Sequence, residues 1–200
     1  MPAPARTGPF PGDPVLAELA AGTRLVRIYD CAYYADGARL RYYGPVRAGR
    51  FDHHPEGQAA SHPGFGILYA TPSLRCAVAE AFGDDRWVEP LPTQRLAVLR
   101  LRRPVPVVET SGGAAVPLGQ PAGALRARDR ALTQRVARDL HASTRAQGIG
   151  YDGWFTGERC VALWERSARA VELIDDRALS DPWVSAAVEV AADELLYARP

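Results

Sequence analysis

The apolar residues of this 200-residue chain fall in short runs, which limits the fold to a few classes. Six runs are predicted to be strands: residues 23–29, 64–71, 96–101, 105–108, 159–165 and 170–175. Three stretches with apolar residues three or four apart are predicted to be helices: residues 72–82, 125–147 and 180–200. Strands and helices do not alternate, so a doubly wound parallel sheet is not expected. We predict an α+β fold: a single compact domain with central mixed or antiparallel sheets flanked by helices.

The chain has the length of one globular domain. We divide it into an N-terminal arm at 1–21, a main domain at 22–178 and a C-terminal helix at 179–200. The arm is predicted to be loose, because it is rich in proline and has no hydrophobic period. Residues 30–64 also lack a clear period, and such a long irregular stretch inside a domain is typical of a binding loop.

Charge balance and residue types exclude several classes of function. The chain has 24 basic and 23 acidic residues, and every basic residue is Arg. Without Lys, neither a Schiff-base lysine nor a Walker-type phosphate loop is available. The formal net charge of +1 argues against nucleic acid as a direct partner. There is no apolar run of about 18 residues and no signal peptide, so we expect a cytoplasmic protein without a membrane partner.

The cysteines and histidines show no recognisable metal pattern. Cys31, Cys76 and Cys160 lie far apart, and no two histidines have the spacing of a helical metal pair. We therefore expect no metal. Cys31 and Cys160 lie in apolar, strand-like segments, where a buried and unreactive thiol is typical. The sequence alone leaves a Cys–His nucleophile pair open.

Four polar residues stand in apolar surroundings. Arg27 lies on the first predicted strand, Arg50 in a Gly-flanked loop, Tyr69 at a strand end and Glu80 on the helix that follows. That helix is expected to start with Thr71 as N-cap and to stop at Gly83. Each polar residue alone has an ordinary explanation: an edge arginine, a core tyrosine or a solvated glutamate.

Taken together, their order and spacing resemble the RES domain. The resemblance covers residues 22–176, and the stretches ALTQRVARDLH and GYDGWFTGERCVALWE are similar to that family's second helix and closing strands. It implies a fold like that of the NAD-consuming ADP-ribosyltransferases, and a RES-like catalytic domain at 22–178. Where many members have Pro-Ser, this chain has Asp152-Gly153, and Ala131 stands at another serine position. No catalytic serine is therefore assigned.

The chemistry of NAD cleavage suits these residues. Breaking the nicotinamide–ribose bond develops positive charge on the sugar, which a fixed carboxylate such as Glu80 can stabilise. The guanidinium groups of Arg27 and Arg50 suit the two phosphates. The Tyr69 ring could stack on nicotinamide. We predict Glu80, Arg27 and Tyr69 as catalytic residues and Arg27, Arg50 and Tyr69 as NAD-binding residues.

The resemblance implies a toxin-type enzyme that depletes NAD by hydrolysis or phosphorolysis and so arrests growth. Two alternatives stay open: ADP-ribosylation of a protein acceptor, and a catalytically inactive binding module. Implied partners are NAD as substrate and a cognate helix-turn-helix antitoxin, with a homodimer as a further option. The apolar stripe of the C-terminal helix, at Val184, Val188, Ala191 and Leu195, is expected to pack on the chain's own sheet, or else to form a dimer or antitoxin contact.

Overall fold

The computed structural model describes residues 8–126 and 128–200. The strands are β1 (Leu16–Leu19), β2 (Arg24–Asp30), β3 (Tyr43–Gly44), β4 (Ala60–Ser61), β5 (Ile67–Ala70), β6 (Gln94–Leu101), β7 (Val105–Glu109), β8 (Gly148–Asp152), β9 (Arg159–Trp164) and β10 (Val171–Ala178). The α-helices are α1 (Leu74–Phe82), α2 (Arg130–Ser143) and α3 (Pro182–Glu194). The predicted α+β class is confirmed. None of the helices in the described residues is long and apolar enough to cross a membrane.

Two main sheets organise the domain. The larger has the order β1-β7-β8-β9-β5 and is mixed, because β7 and β8 run parallel while the other pairs are antiparallel. The smaller, β10-β6-β2, is antiparallel. The edge strands β2 and β5 meet where the amides of Val26 and Thr71 donate to each other's carbonyls at 2.7 and 3.0 Å. We call this meeting of the two sheets the seam.

Strand alternation divides the core between the two faces of the larger sheet. On one face, Leu68 and Leu163 pack against Leu25 and Leu99 of the smaller sheet, and all four are fully buried. On the opposite face, side chains that include Trp164 pack with α2. Burying each large aliphatic side chain contributes about 1.5–3 kcal/mol. These two layers fix the sheets that carry the seam.

The C-terminal helix is packed within the chain. Val184, Val188 and Ala191 of its predicted stripe are buried with Val78 of α1. Leu195 is partly buried against the same cluster. The stripe thus covers α1 and the adjoining edge of the smaller sheet. Asp181 caps the helix by accepting a hydrogen bond from the Trp183 amide.

Several boundaries differ from the sequence prediction. Ser73, not Thr71, caps α1, because the Thr71 hydroxyl donates to the Arg159 carbonyl at 2.7 Å. The second helix starts at Arg130 rather than 125, since Asp129 caps it there. β1 lies inside the predicted arm and pairs with β7, while residues 1–7 of that arm lie outside the described residues. β3, β4 and β8 were not predicted.

Candidate active site

A pocket of about 340 Å³ opens beside the seam. Its walls come from β2, the loop at 46–50, β5, α1, β8, β9 and the first residue of α2. All four residues that the sequence singled out, Arg27, Arg50, Tyr69 and Glu80, line this pocket. The fold therefore brings together polar side chains from four separate elements.

Arg27 lies on the inner face of β2, where alternation places it between buried Leu25 and Tyr29. It is only 8% exposed, and its Nη1 donates to the carbonyls of Gly37 at 3.2 Å and Arg39 at 2.9 Å. Its guanidinium also stands 4.4 Å from the centre of the Tyr34 ring. Burial lowers the pKa of Arg27 from the usual value of an arginine. These contacts hold the group in place, and no carboxylate of the described residues pairs with it.

Arg50 is presented by a short loop whose shape is held from outside. Its side chain is buried, donates to the Asp152 carbonyl at 2.8 Å and lies 5.1 Å from the centre of the Tyr151 ring. The loop itself is held by Gln134 of α2, whose amide donates to the carbonyls of Val46 at 3.0 Å and Gly49 at 2.7 Å. Gln134 thus positions the backbone that carries Arg50.

Arg130, the first residue of α2, is a pocket residue that sequence reasoning missed. Its Nη1 is buried and has no hydrogen-bond partner among the described residues. Burial, followed by the nearby positive charge of Arg50, lowers the pKa of Arg130. A partly buried guanidinium without an ionic partner is destabilising, so this arrangement favours an anionic ligand. The only available sequence signal was its place just after the capping Asp129.

Tyr69 and Arg41 complete the wall of the pocket around the loop. The Tyr69 hydroxyl accepts a hydrogen bond from the Phe51 amide at 3.1 Å. Burial, followed by the charge of Asp52, raises the pKa of Tyr69 well above its usual value, so the hydroxyl stays protonated at neutral pH. Arg41 also lines the pocket but is paired with Asp52 at 2.9 Å.

Glu80 is exposed on α1 and is the one carboxylate among the described residues of the pocket lining. Its Oε1 accepts a hydrogen bond from the Trp154 amide at 2.8 Å. The lining thus contains four guanidiniums and one carboxylate. Such a pocket can bind a doubly charged anion and hold a negative group next to it.

The comparisons with known proteins agree with this architecture. The model of the RES domain matches residues 24–184. The chain belongs to the RES domain family. Its fold is similar to that of a chain in the crystal structure of the M. tuberculosis MbcT–MbcA toxin–antitoxin complex, with a TM-score of 0.59 and 14% sequence identity over 88% of this chain and 92% of that one. At that identity the likeness shows a shared fold. No curated protein sequence matches the chain.

Gly153, which the sequence resemblance aligns with a serine of many RES domains, lies directly beside Glu80. A Cβ atom built on Gly153 would lie 3.0 Å from Glu80 Oε1, 3.1 Å from Cys76 Sγ and 3.2 Å from Cys160 Sγ. A side chain at this position would therefore be in tight contact with all three polar atoms. No hydroxyl extends from this position in the present chain.

The two thiols beneath Glu80 are buried and 3.3 Å apart. Cys76 lies on α1 and Cys160 on β9. The hydrogen bond from the Cys160 thiol lowers the pKa of Cys76, and the same bond, with burial, raises the pKa of Cys160. Cys31 is exposed and is not among the residues that line the pocket. The prediction of an inert buried thiol was made for Cys31 and Cys160, and the exposure of Cys31 contradicts it for that residue.

All four histidines of the chain, at positions 53, 54, 62 and 141, pack together on the other side of the loop with Phe65 and Trp164. We call them, together with Asp52 and Glu165, the histidine cluster. His141 Nε2 and His53 Nε2 lie 2.9 and 3.4 Å from the two oxygens of Glu165. The cluster arises because the fold unites segments that are 24 and 112 residues apart.

Proposed function

We propose that this RES domain consumes NAD by cleaving the bond between nicotinamide and ribose. The observation that carries the proposal is the single carboxylate of Glu80 on a pocket whose other charged residues are arginines, three of them without an acidic partner among the described residues. NAD offers two phosphates to such arginines and a glycosidic carbon to the carboxylate. Both demands are met within one pocket.

Each lining residue then has a definite task. Arg27, Arg50 and Arg130 bind the diphosphate. Tyr69, which stays protonated, offers its ring to nicotinamide. As the carbon–nitrogen bond breaks, its electron pair leaves with nicotinamide, and Glu80 stabilises the positive charge left on the ribose. Water or phosphate then adds to that carbon and loses a proton to solvent.

The wider role follows from the structural likeness. The MbcT–MbcA structure is a toxin–antitoxin complex, and a chain of it shares the fold described here. We extend that arrangement to this chain: a toxin that arrests growth by removing NAD and that is restrained by a cognate antitoxin of the helix-turn-helix type. The sequence expectation of a homodimer remains a prediction.

Product analysis tests the proposed reaction. Purified protein incubated with NAD is expected to release nicotinamide together with ADP-ribose, or with phosphorylated ADP-ribose when phosphate is supplied; chromatography with mass detection identifies both. Transfer of labelled ADP-ribose to a protein would instead support the acceptor alternative. NAD that survives at equimolar protein would overturn the proposal and favour an inactive binding module, for which Gly153 is the specific structural reason.

A further inference from the structure

Three potential metal ligands converge on one point beneath the pocket. The position of an imagined Gly153 Cβ is 3.0–3.2 Å from Glu80 Oε1, Cys76 Sγ and Cys160 Sγ, nearly equidistant from all three. The three donor atoms also lie within 4.8 Å of one another. A side chain at position 153 would crowd all three donor atoms, and glycine avoids that contact.

Local structure aims these side chains at the same point. Cys76 and Glu80 are four residues apart on α1 and so share one face of the helix. Cys160 approaches from β9, and its sulfur lies 3.3 Å from that of Cys76. The Thr156 hydroxyl donates to Cys76 Sγ at 3.3 Å, which is the kind of contact that supports a metal-bound thiolate.

We propose that Cys76, Cys160 and Glu80 form a binding site for a thiophilic divalent cation, zinc being the physiological one. Two sulfurs and one carboxylate oxygen suit zinc, which binds them at about 2.3 Å and about 2.0–2.2 Å. The three protein ligands leave a fourth position toward the pocket, which Glu80 and Cys160 line and through which the cation enters. Binding releases the two thiol protons to solvent.

The site has a consequence for the reaction that rests on the proposed function. A cation bound here engages the carboxylate of Glu80, so that this group no longer faces the ribose as a free negative charge. Zinc is therefore an inhibitor of this enzyme and not its cofactor. Removing the cation with a chelator restores the free carboxylate.

The histidine cluster contains another trio of potential ligands, His53, His141 and Glu165, whose donor atoms also lie within 4.8 Å of one another. There the two imidazoles contact both oxygens of the carboxylate, and the trio offers no thiolate sulfur. This trio is accordingly the natural control.

Cadmium is the first probe, because thiolates bound to it absorb in the ultraviolet. The full-length, reduced protein is expected to bind one Cd²⁺ with this absorption, and zinc is expected to displace it. Cys76→Ser and Cys160→Ser should each weaken binding by more than the roughly 100-fold that changes around a metal's ligands can cost. The matched controls, Cys31→Ser and His141→Gln, should bind cadmium like the parent. Unchanged affinity in both site variants, or loss only in His141→Gln, would overturn the proposal.

Two further measurements do not depend on the folding of the cysteine variants. Zinc should slow the alkylation of Cys76 and Cys160, but not of Cys31, during prolonged labelling of the parent protein, as read by peptide mass spectrometry. Rates for Cys76 and Cys160 that are the same with and without zinc would contradict the site. Glu80→Gln, at an exposed position, should lower zinc affinity at least about tenfold. Unchanged affinity there would remove Glu80 from the ligand set.

Measurements of NAD consumption separate the proposed metal site from the proposed function. Stoichiometric zinc should suppress NAD consumption by the parent, and a chelator should restore it. Cadmium binding through both thiols in a protein that never consumes NAD would sustain the metal site and refute the proposed function. NAD consumption that is unaffected by saturating zinc would sustain the enzyme and refute the inhibitory role.

Discussion

The pocket and the histidine cluster lie on two sides of one loop. They differ in whether their charged side chains have partners of opposite charge. In the cluster, charged groups face partners: the Asp52 carboxylate binds Arg41 and His54, and Glu165 receives two imidazoles. In the pocket, Arg50 and Arg130 have no acidic partner among the described residues. A paired buried charge contributes to a fixed structure, whereas an unpaired one costs stability and indicates a missing ligand. The presence of an ionic partner, more than burial, therefore distinguishes the charged residues of the histidine cluster from those of the pocket.

The loop joins these two environments within three residues. Arg50 faces the pocket, while Asp52, fully buried, accepts hydrogen bonds from the Val46 amide and from the Arg41 guanidinium. Those bonds close the loop upon itself. The histidine cluster therefore fixes the backbone of the loop that carries Arg50.

The largest expected effect comes from breaking a paired charge. Asp52→Ala leaves Arg41, His54 and the Val46 amide without their acceptor and should lower the free energy of unfolding by about 3–5 kcal/mol. Chemical denaturation followed by circular dichroism measures this change. The exposed Asp85→Ala is the matched control and should stay within about 0.5 kcal/mol of the parent. If the unfolding curves of both variants coincide with that of the parent, the Asp52 carboxylate does not stabilise the fold.

Glu80→Gln changes a residue of the pocket, and we expect it to lower the reaction rate without changing the stability of the fold. The substitution is nearly isosteric and removes the charge that faces the ribose, so NAD turnover should fall on the order of 10² to 10³-fold while the fold is kept. Exposed Glu194→Gln is the control for the same chemical change. A folded Glu80→Gln protein that consumes NAD within threefold of the parent would refute the proposed role.

The unpaired arginines should separate binding from stability. Arg27→Ala and Arg50→Ala are each expected to weaken NAD binding by about 1.5–3 kcal/mol through loss of a charge-assisted phosphate contact. Calorimetric titration with a non-hydrolysable NAD analogue measures this, with exposed Arg145→Ala as control. Unchanged affinity in both variants would assign them a structural role.

Arg130→Met sharpens the contrast with Asp52→Ala. It removes a partly buried guanidinium whose buried Nη1 lacks a partner among the described residues and keeps an apolar side chain, so stability should be equal to or higher than that of the parent. Affinity for the same analogue should nevertheless fall by about 1.5–3 kcal/mol. Marked destabilisation would mean that Arg130 is paired in solution.

The smallest effect is the pH dependence of the cluster. Burial lowers the pKa of His53 to about 4, against the attraction of Glu165 and with the help of the charges of His141 and His54. Between about pH 6.5 and 4 the unfolded chain therefore binds a proton that the folded chain does not, and stability falls as the pH drops, by on the order of 1 kcal/mol per unit. Denaturation at several pH values should show a shallower slope for His53→Asn. Identical slopes would exclude His53 as the source.

Strong local signals were sufficient for much of the fold and of the candidate site. The alternation around Arg27 predicted β2, and Gly83 ends α1 as expected. β8 was missed because Gly148–Asp152 is buried at four of its five positions and contains two glycines, so it shows no alternation. Its identity as a strand comes from its neighbours β7 and β9.

Residues whose role depends on contacts between distant segments could not be identified from the sequence. Arg130 looks like an ordinary first residue of a helix until Arg50 is brought near it. The histidine cluster likewise unites residues whose sequence separations carry no periodic signal. Arg27, Arg50, Tyr69 and Glu80 were recognisable only through their order along the chain, and their roles stay predictions that the variants above test.

The seam gives the molecule a built-in reporter of occupancy. Only a short backbone contact, between Val26 and Thr71, joins β2 to β5 beside the pocket, and its amide protons become available to solvent when the two edges separate. A dinucleotide that touches Arg27 on one edge and Tyr69 on the other must leave before the edges can part. We therefore expect a dinucleotide bound as proposed to slow the deuterium exchange of these two backbone amides, which can be followed without any turnover of substrate.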